Sequence, residues 1–597
     1  AELRGSAFVM VFWRLAAVRT GCADSWIVAY AWRGKKGSGA GGNGGGDRRG
    51  SRGEGADAQN DGEKQRRRDG SGGVDRGWGE GHNGFSGVVS EWGFVAGNLM
   101  SLKVLTAEEQ AWARGMLHDG MDEVAQGAPL LPGARSKAAW LARREAVRRR
   151  MWETLGIRPS ETCDLEPRVL GVSRRGDLCV ERVVIQTRPG CPLPMNLYRP
   201  MRLKGPAAAV LFAHGHSPHG KAQEEYQRAL MGLARLGYVA LSYDMVGYNE
   251  REGMGHRLAY GPLAAGGAVM GMIVWDGMKA LDYLLSRPEV DPGRVGCTGN
   301  SGGGTQTLLL AALDERIAAA APAGYGSTYG YNAAKERHIC ACNMLPSFLS
   351  FAEMDDLYAC IAPRPLLINQ GMDDRLFPFD SVRRVFRRAR RVYRLLGVEE
   401  RVKLSLAPCG HPYDQPKREA MYEWFNRFLR GMGAASTVKE PATRPFAEDG
   451  AELRCFAKGR LPAGAATVDE LARRDALAVL AGARERLEGP GGVERARKAL
   501  VEALGLRGRR AKVVKVEDRG EAVAGRCSWR KLLVWVSEGV ALPCALFEPC
   551  GPVRGAAVVA DSRGKDTGWA RAAARRLVGR GLRVAAVDLR GWGETRG

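Results

Sequence analysis

Read for the spacing of its apolar positions, the chain alternates short dense apolar runs with longer helical patterns. Residues 207–213 (AAAVLFA), 294–298 (RVGCT) and 364–369 (RPLLIN) have the density of strands covered on both faces, as in a parallel sheet. Residues 305–313 (TQTLLLAAL) read as an apolar helix, and Met421, Trp424, Phe425, Phe428 and Leu429 fall at the spacing of an amphipathic one. Residues 107–156 are also helical in pattern and would pack on the sheet as an amino-terminal cap. The alternation predicts an α/β fold with a mostly parallel, doubly wound sheet.

Residues 1–99 lack this patterning. GKKGSGAGGNGGGDRRGSRGEG (34–55) is rich in glycine and arginine, so this part is expected to be disordered or a non-native flank. A repeat occupies the other end. ETLGI (153–157) is answered by EALGL (502–506) and LPMNLYRP (193–200) by LPCALFEP (542–549), in one register. ALMGLARLGYVALSYDMVGYNER is then answered by ARRLVGRGLRVAAVDLRGWGETR after a slightly shorter loop. The expected organisation is a flank at 1–99, a helical cap with the first strands at 100–190, a main domain at 191–430, a linker with a helix at 431–490, and an incomplete second copy of the fold at 491–597, truncated or accessory.

The chemistry centres on GCTGNSGGGTQ (296–306), where glycines surround one serine between the strand-like RVGCT and the helix-like TQTLLLAAL. Glycine is costly to order, so a cluster marks backbone geometry that side chains would forbid. Gly299, Ser301 and Gly303 fit GxSxG, a nucleophile elbow. In a chain with 80 glycines the bare motif also arises by chance, so its partners decide. A serine needs a base, and the base needs an acid to hold it. In the loop after RPLLIN stands Asp374, favoured as the acid over its neighbour Asp373. After the strand-like KLSLA comes CGH, whose His411 is the candidate base; the bland alternative is a solvated loop histidine. The oxyanion needs two backbone donors, and the amides of His216, in HGHSPHGK (214–221), and Gly302 stand where they are required. HGHSPHGK could instead bind a metal, but no further ligand cluster accompanies it. Cys340 and Cys342 form CxC, close for a zinc pair and with no second pair in sequence. No metal and no organic cofactor is therefore expected.

Together HGH…GK, SYDMVGYNERE (242–252), WDGMKALDYLLSRPEVDPGRVGCTGNSGGGTQ (275–306), CNMLP, IAPRPLLI and CGH resemble the acetyl xylan esterase and dienelactone hydrolase-like branch of the α/β-hydrolases, over about residues 140–430. The resemblance implies an α/β-hydrolase fold, an incomplete second α/β-hydrolase-like repeat, and a Ser-Asp-His carboxylic ester hydrolase often acting on acylated carbohydrate such as acetylated xylan. Many such esterases carry a glutamine or similar side chain after the nucleophile, where this chain has Gly302. The insert 324–351, rich in tyrosine and asparagine, is expected to border the substrate pockets. The alternative enzyme is a prolyl oligopeptidase-like serine peptidase, but the residues ahead of the first strand are too few and too helical for its usual β-propeller. Outside enzymes the alternative is a non-catalytic hydrolase-fold binding protein, which the intact serine, aspartate, histidine and HG set argues against.

A net charge of +23 raises nucleic acid as a partner. The arginines are spread along the chain, however, without zinc-finger spacing or interleaved aromatics, so the expected partner is a small-molecule or carbohydrate ester. Neither nucleic acid nor membrane is expected, and the pattern does not specify an oligomeric state. The 13 cysteines are odd in number and scattered, which favours reduced thiols and the cytoplasm over the alternative of export.

Overall fold

The structure, a computed structural model, describes residues 26–31, 102–110, 134–157, 163–257, 260–334, 340–433, 437–503, 513–524, 527–537 and 539–595. They belong to two compact units, 118–509 and 1–117 with 510–597. The first described strand, β1 (Trp26–Ala31), belongs to the smaller unit. The remainder of 1–99, for which disorder was expected, lies outside the described residues, as do 111–133 of the expected cap.

The larger unit is built on a nine-stranded sheet. Its strands are β2 (Arg168–Arg175), β3 (Leu178–Arg188), β4 (Cys191–Pro200), β5 (Ala207–Ala213), β6 (Val239–Tyr243), β7 (Val290–Asn300), β8 (Ala319–Ala323), β9 (Leu366–Gly371) and β10 (Val402–Ala407), in the spatial order β2-β3-β4-β6-β5-β7-β8-β9-β10. From β6 to β10 each neighbour is parallel, while β2, β3 and β4 pair antiparallel and β4 meets β6 antiparallel. Every residue of β5, β6, β8 and β9 is buried, which is why β5, β8 and the openings of β6 and β9 read as apolar runs. In β5 the side chains alternate between two cores. Ala209, Leu211 and Ala213 join the helices Lys137–Leu155, Val269–Leu285, Gly302–Leu313 and Phe379–Leu395 on one face. Ala208, Val210 and Phe212 join Glu224–Arg235 and Gln415–Leu429 on the other. This mostly parallel sheet, covered on both faces, is the α/β-hydrolase fold.

The described part of the cap is the helix Lys137–Leu155. Ser136 accepts from the Ala139 amide at its start, Gly156 ends it at φ 67°, and Trp140, Val147, Met151 and Leu155 are its buried stripe.

The segment expected to be a linker is corrected by its contacts. Residues 437–466 contain no helix or strand, yet Phe446, Leu453 and Cys455 are buried in the larger unit. Gln227 exchanges hydrogen bonds with both backbone groups of Phe446, and the buried Glu250 accepts from the amides of Cys455 at 3.0 Å and Phe456 at 2.7 Å. The following helix, Val468–Glu488, opens with a Thr467/Glu470 capping box and buries Val468, Leu471 and Ala472. The segment reads as a tether because its role is to supply backbone donors, which leave no hydrophobic period. A chain stopped after Glu440 would lose the buried Phe446, Leu453, Val468 and Leu471, each worth ~1.5–3 kcal/mol, and both backbone donors of Glu250, each ~1–3 kcal/mol. It is expected to unfold well below a chain stopped after Ala503, as thermal unfolding would show; equal midpoints would refute this.

The smaller unit holds a six-stranded sheet. Strands β11 (Lys515–Ala524), β12 (Cys527–Ser537), β13 (Val540–Phe547), β14 (Gly555–Asp561) and β15 (Leu582–Val587) lie in the order β11-β12-β13-β15-β14-β1. That is the order of β2-β3-β4-β6-β5, with the helix Gly568–Val578 between β14 and β15 where Glu224–Arg235 lies between β5 and β6. In the larger unit Lys221 is buried between Asp244 at 2.7 Å and Glu250 at 2.6 Å; in the smaller, Lys565 is buried between Asp588 and Glu594. The two units thus share this strand order and this buried ion cluster. Among the described residues no helix is long and apolar enough to cross a membrane.

Candidate active site

Ser301 stands between the end of β7 and the helix Gly302–Leu313, at φ 59° and ψ −121°. A non-glycine residue holds such angles only where its surroundings impose them. Here the Ser301 amide donates to the Ala323 carbonyl at 2.9 Å and its carbonyl accepts from Thr305. The flanking glycines follow from close approach: a Cβ on Gly299 or Gly303 would lie 2.1 or 2.0 Å from the Ala213 carbonyl oxygen.

Asp374 and His411 come from the loops leaving β9 and β10. His411 Nδ1 lies 2.8 Å from Asp374 Oδ2, and Asp374 is buried whereas Asp373 is exposed. The rest of the carboxylate is fully engaged. Oδ2 accepts from Gln370 Nε2 at 2.8 Å, and Oδ1 accepts from the amides of Leu376 and Phe377 at 2.9 and 3.3 Å. Burial pushes this carboxyl up, but the bond to His411, its charge and the Leu376 amide outweigh burial and hold it below the ordinary value of 3.8. Asn300 joins the elbow to the histidine loop, its side-chain amide donating to the His411 carbonyl at 3.0 Å. The structure thus brings the loops of Ser301 and His411 together, while the Ser301 hydroxyl makes no hydrogen bond to the imidazole in this geometry. Such bonds are commonly long in ligand-free enzymes and tighten around substrate.

Residues without a sequence signal complete this arrangement. Lys417, in the first turn of Gln415–Leu429, donates to the carbonyls of Gly410, His411 and Pro412 at 2.8, 3.0 and 2.8 Å and is completely buried. Burial lowers its pKa. By position alone it reads as one more surface lysine of a helix, and Gln370 likewise reads as the end of a strand.

The histidines of HGHSPHGK separate. His214 is a structural residue: its Nε2 accepts from the Met245 amide at 2.8 Å, so Nδ1 donates to the Gly215 carbonyl at 2.7 Å, and burial lowers its pKa to about 3. His219 faces Glu448 near the surface. The His216 ring turns instead toward His256, at 3.2 Å, and Cys342, at 3.3 Å, with Cys340 in the same group. The sequence-based expectation that no ligand cluster accompanies His216, and that CxC lacks a second pair, is therefore corrected; both halves exist, far apart in the chain.

The same ring explains the glycine after Ser301. A Cβ on Gly302 would lie 2.7 Å from His216 Cε1 and 2.8 Å from Nδ1. The ring is held by its neighbours and cannot easily yield. Gly302→Ala is expected to shift the elbow amide and cost roughly 10²-fold in kcat, the scale of a small misplacement at a reacting centre; unchanged kcat would show that the ring gives way freely. The insert also differs from expectation in part. The Tyr325 hydroxyl bonds Asn343 Oδ1 and the Tyr329 hydroxyl donates to the Asn343 carbonyl, so both phenols brace the insert itself.

Residues 189–374 match the family model of X-Pro dipeptidyl-peptidase (S15 family). Over 278 residues, 44% of this chain and 92% of the relative, the sequence is 27% identical to YtaP of Bacillus subtilis (strain 168), which is named as a hydrolase. Similar solved structures include the methylesterase BT1017, at 26% identity and TM-score 0.46 over 61% of this chain and 80% of that one. A glucuronoyl esterase from Solibacter usitatus is 17% identical, with TM-score 0.40, over 51% and 96%. An acetyl xylan esterase from Paenibacillus sp. R4 is 18% identical, with TM-score 0.37, over 52% and 99%.

Proposed function

We propose that the chain is a serine-dependent carboxylic ester hydrolase that deacylates an acylated carbohydrate such as acetylated xylan. The observation that carries the reading is the pairing of a strained serine at the strand-to-helix turn with a histidine whose Nδ1 is held by a buried, fully bonded carboxylate. In this mechanism Asp374 keeps the proton on His411 Nδ1, which leaves Nε2 free as the base. Ser301 Oγ attacks the ester carbonyl while Nε2 takes its proton. The negative charge on the carbonyl oxygen is met by the amides of His216 and Gly302. His411 then returns the proton to the leaving alcohol, and water repeats the sequence on the acyl-enzyme. The carbohydrate follows from the sequence resemblance.

One observation favours a second reading: the matched family model is that of dipeptidyl-peptidases. Esters and X-Pro amides share the same acyl chemistry and differ in leaving group and pocket. Rates on p-nitrophenyl acetate, acetylated xylan, a methyl glucuronate ester and an X-Pro p-nitroanilide separate them. The esters are expected to turn over with the higher kcat/KM. A higher value for the X-Pro anilide would overturn the reading in favour of a peptidase, and no turnover of any of these substrates would favour a binding protein.

A further inference from the structure

Three loops at the carboxyl ends of the central strands meet beside the elbow, and each brings a soft or borderline metal ligand. His216 comes from the loop after β5, His256 from the segment after β6, and Cys340 and Cys342 from the insert after β8. Their ligand atoms all lie within 4.8 Å of one another. His216 Nε2 is 3.2 Å from His256 Nε2 and 3.3 Å from Cys342 Sγ, and His256 Nε2 is 3.0 Å from Cys340 Sγ.

These three separations approach the edges of a coordination tetrahedron, that between His256 and Cys340 being the shortest of them. With Zn–N near ~2.0 Å and Zn–S near ~2.3 Å, a regular tetrahedron has edges of about 3.3 Å between nitrogens and about 3.5 Å between nitrogen and sulfur. The surroundings fit as well. His256 Nδ1 donates to the Val246 carbonyl at 2.7 Å, so in the neutral ring the Nε2 lone pair points into the cluster. Asn343 Nδ2 donates to Cys342 Sγ at 3.6 Å, a bond that favours thiolate. Tyr248 packs edge-on against both histidine rings, with centroids 5.4 and 4.8 Å away, and limits access of water.

We propose that His216, His256, Cys340 and Cys342 bind one zinc ion. The two thiols enter as thiolates and release their protons to solvent, which leaves the ion and its ligands neutral overall, as suits a half-buried site. Two imidazoles and two thiolates in a tetrahedron select zinc over hard cations. Four protein ligands leave no position for water or substrate, so the ion is structural. It ties the insert and the His256 segment to the HGH loop. On the hydrolase reading above, it thereby fixes the backbone amide of His216 that faces the oxyanion.

The test is the metal content of the full chain, purified without chelator, and of Cys340→Ser and His256→Ala. The wild type is expected to hold about one zinc per chain and the variants much less. Cobalt(II) exchanged into wild type should show the intense tetrahedral visible bands and thiolate-to-metal charge transfer, absent from Cys340→Ser. A folded wild type without zinc after incubation with it, iron in its place, or a Cys340–Cys342 disulfide by mass spectrometry would overturn the proposal. The cobalt spectrum needs only wild type, so a variant that fails to fold does not blunt the test. Ser301→Ala is expected to bind zinc unchanged, so failure of the hydrolase reading and failure of the metal site are distinguishable. If the ion positions the oxyanion donor, its removal lowers kcat on p-nitrophenyl acetate with little change in KM, and zinc restores it; a change in KM alone would refute that positioning role.

Discussion

Ser301→Ala is expected to lower kcat on an activated ester by about 10⁶-fold, to the residual catalysis that binding and an oxyanion site supply without a nucleophile. The effect is large because the other groups act only through the serine: His411 has no proton to take and the oxyanion donors have no tetrahedral intermediate to hold. It is expected to leave the fold intact. Ser301 keeps its backbone by accepting from Thr305 and donating to Ala323, bonds that alanine makes equally well. Alanine inherits the same φ of 59°, whereas Ser301→Gly relieves strain of the order of ~1 kcal/mol and should melt slightly higher while being equally inactive. Inactive proteins with unchanged or raised melting points would show that the serine serves chemistry at a cost in stability. Wild-type turnover in either variant would remove Ser301 from the mechanism.

The legible parts of this molecule are those in which local pattern and tertiary role coincide. Strands covered on both faces are mostly apolar, so β5 stands out as AAAVLFA and β9 by its opening LLI. The elbow is legible for a different reason: two glycines forced by the Ala213 carbonyl leave a sign that side-chain chemistry cannot imitate. The sequence similarity between the two segments falls on β13 and β15, which keep the apolar spacing of β4 and β6, and on the buried ion clusters, where Lys565, Asp588 and Glu594 stand as Lys221, Asp244 and Glu250 do.

Elsewhere the determining contact lies at long range and leaves no periodicity. The 437–466 segment has the composition of a tether, yet its amides hydrogen-bond a buried carboxylate. Lys417 occupies an ordinary helix position, and only the three carbonyls of the histidine loop give it a function. CxC and HGH are each weak as metal motifs, because a tetrahedral site needs four atoms in space and spacing shows at most two of them on any one loop. The same misreading hid the cause of Gly302, which the His216 ring requires and the elbow motif does not.

Asp374→Asn is expected to cost about 10⁴-fold in kcat, and Asp373→Asn very little, although the two stand side by side. The carboxamide that replaces the Asp374 carboxylate would keep most of the packing and can still accept from the amides of Leu376 and Phe377. What it loses is the anionic acceptor that holds the proton on His411 Nδ1; the amide nitrogen would instead favour the opposite tautomer, with the proton on the nitrogen that must act as base. Asp373 is exposed and does not reach the ring, so its change touches none of this. The pH dependence of stability gives an independent check. Because the folded state holds the Asp374 carboxyl below 3.8, its contribution to stability is fully present above that value and is lost as pH falls through the lower, folded-state pKa; Asp374→Asn should therefore flatten the acid limb of the unfolding curve, and Asp373→Asn should not. Comparable losses of kcat in the two variants would mean that the loop rather than the carboxylate is at issue. A large loss in Asp373→Asn alone would move the acid one residue toward the amino terminus.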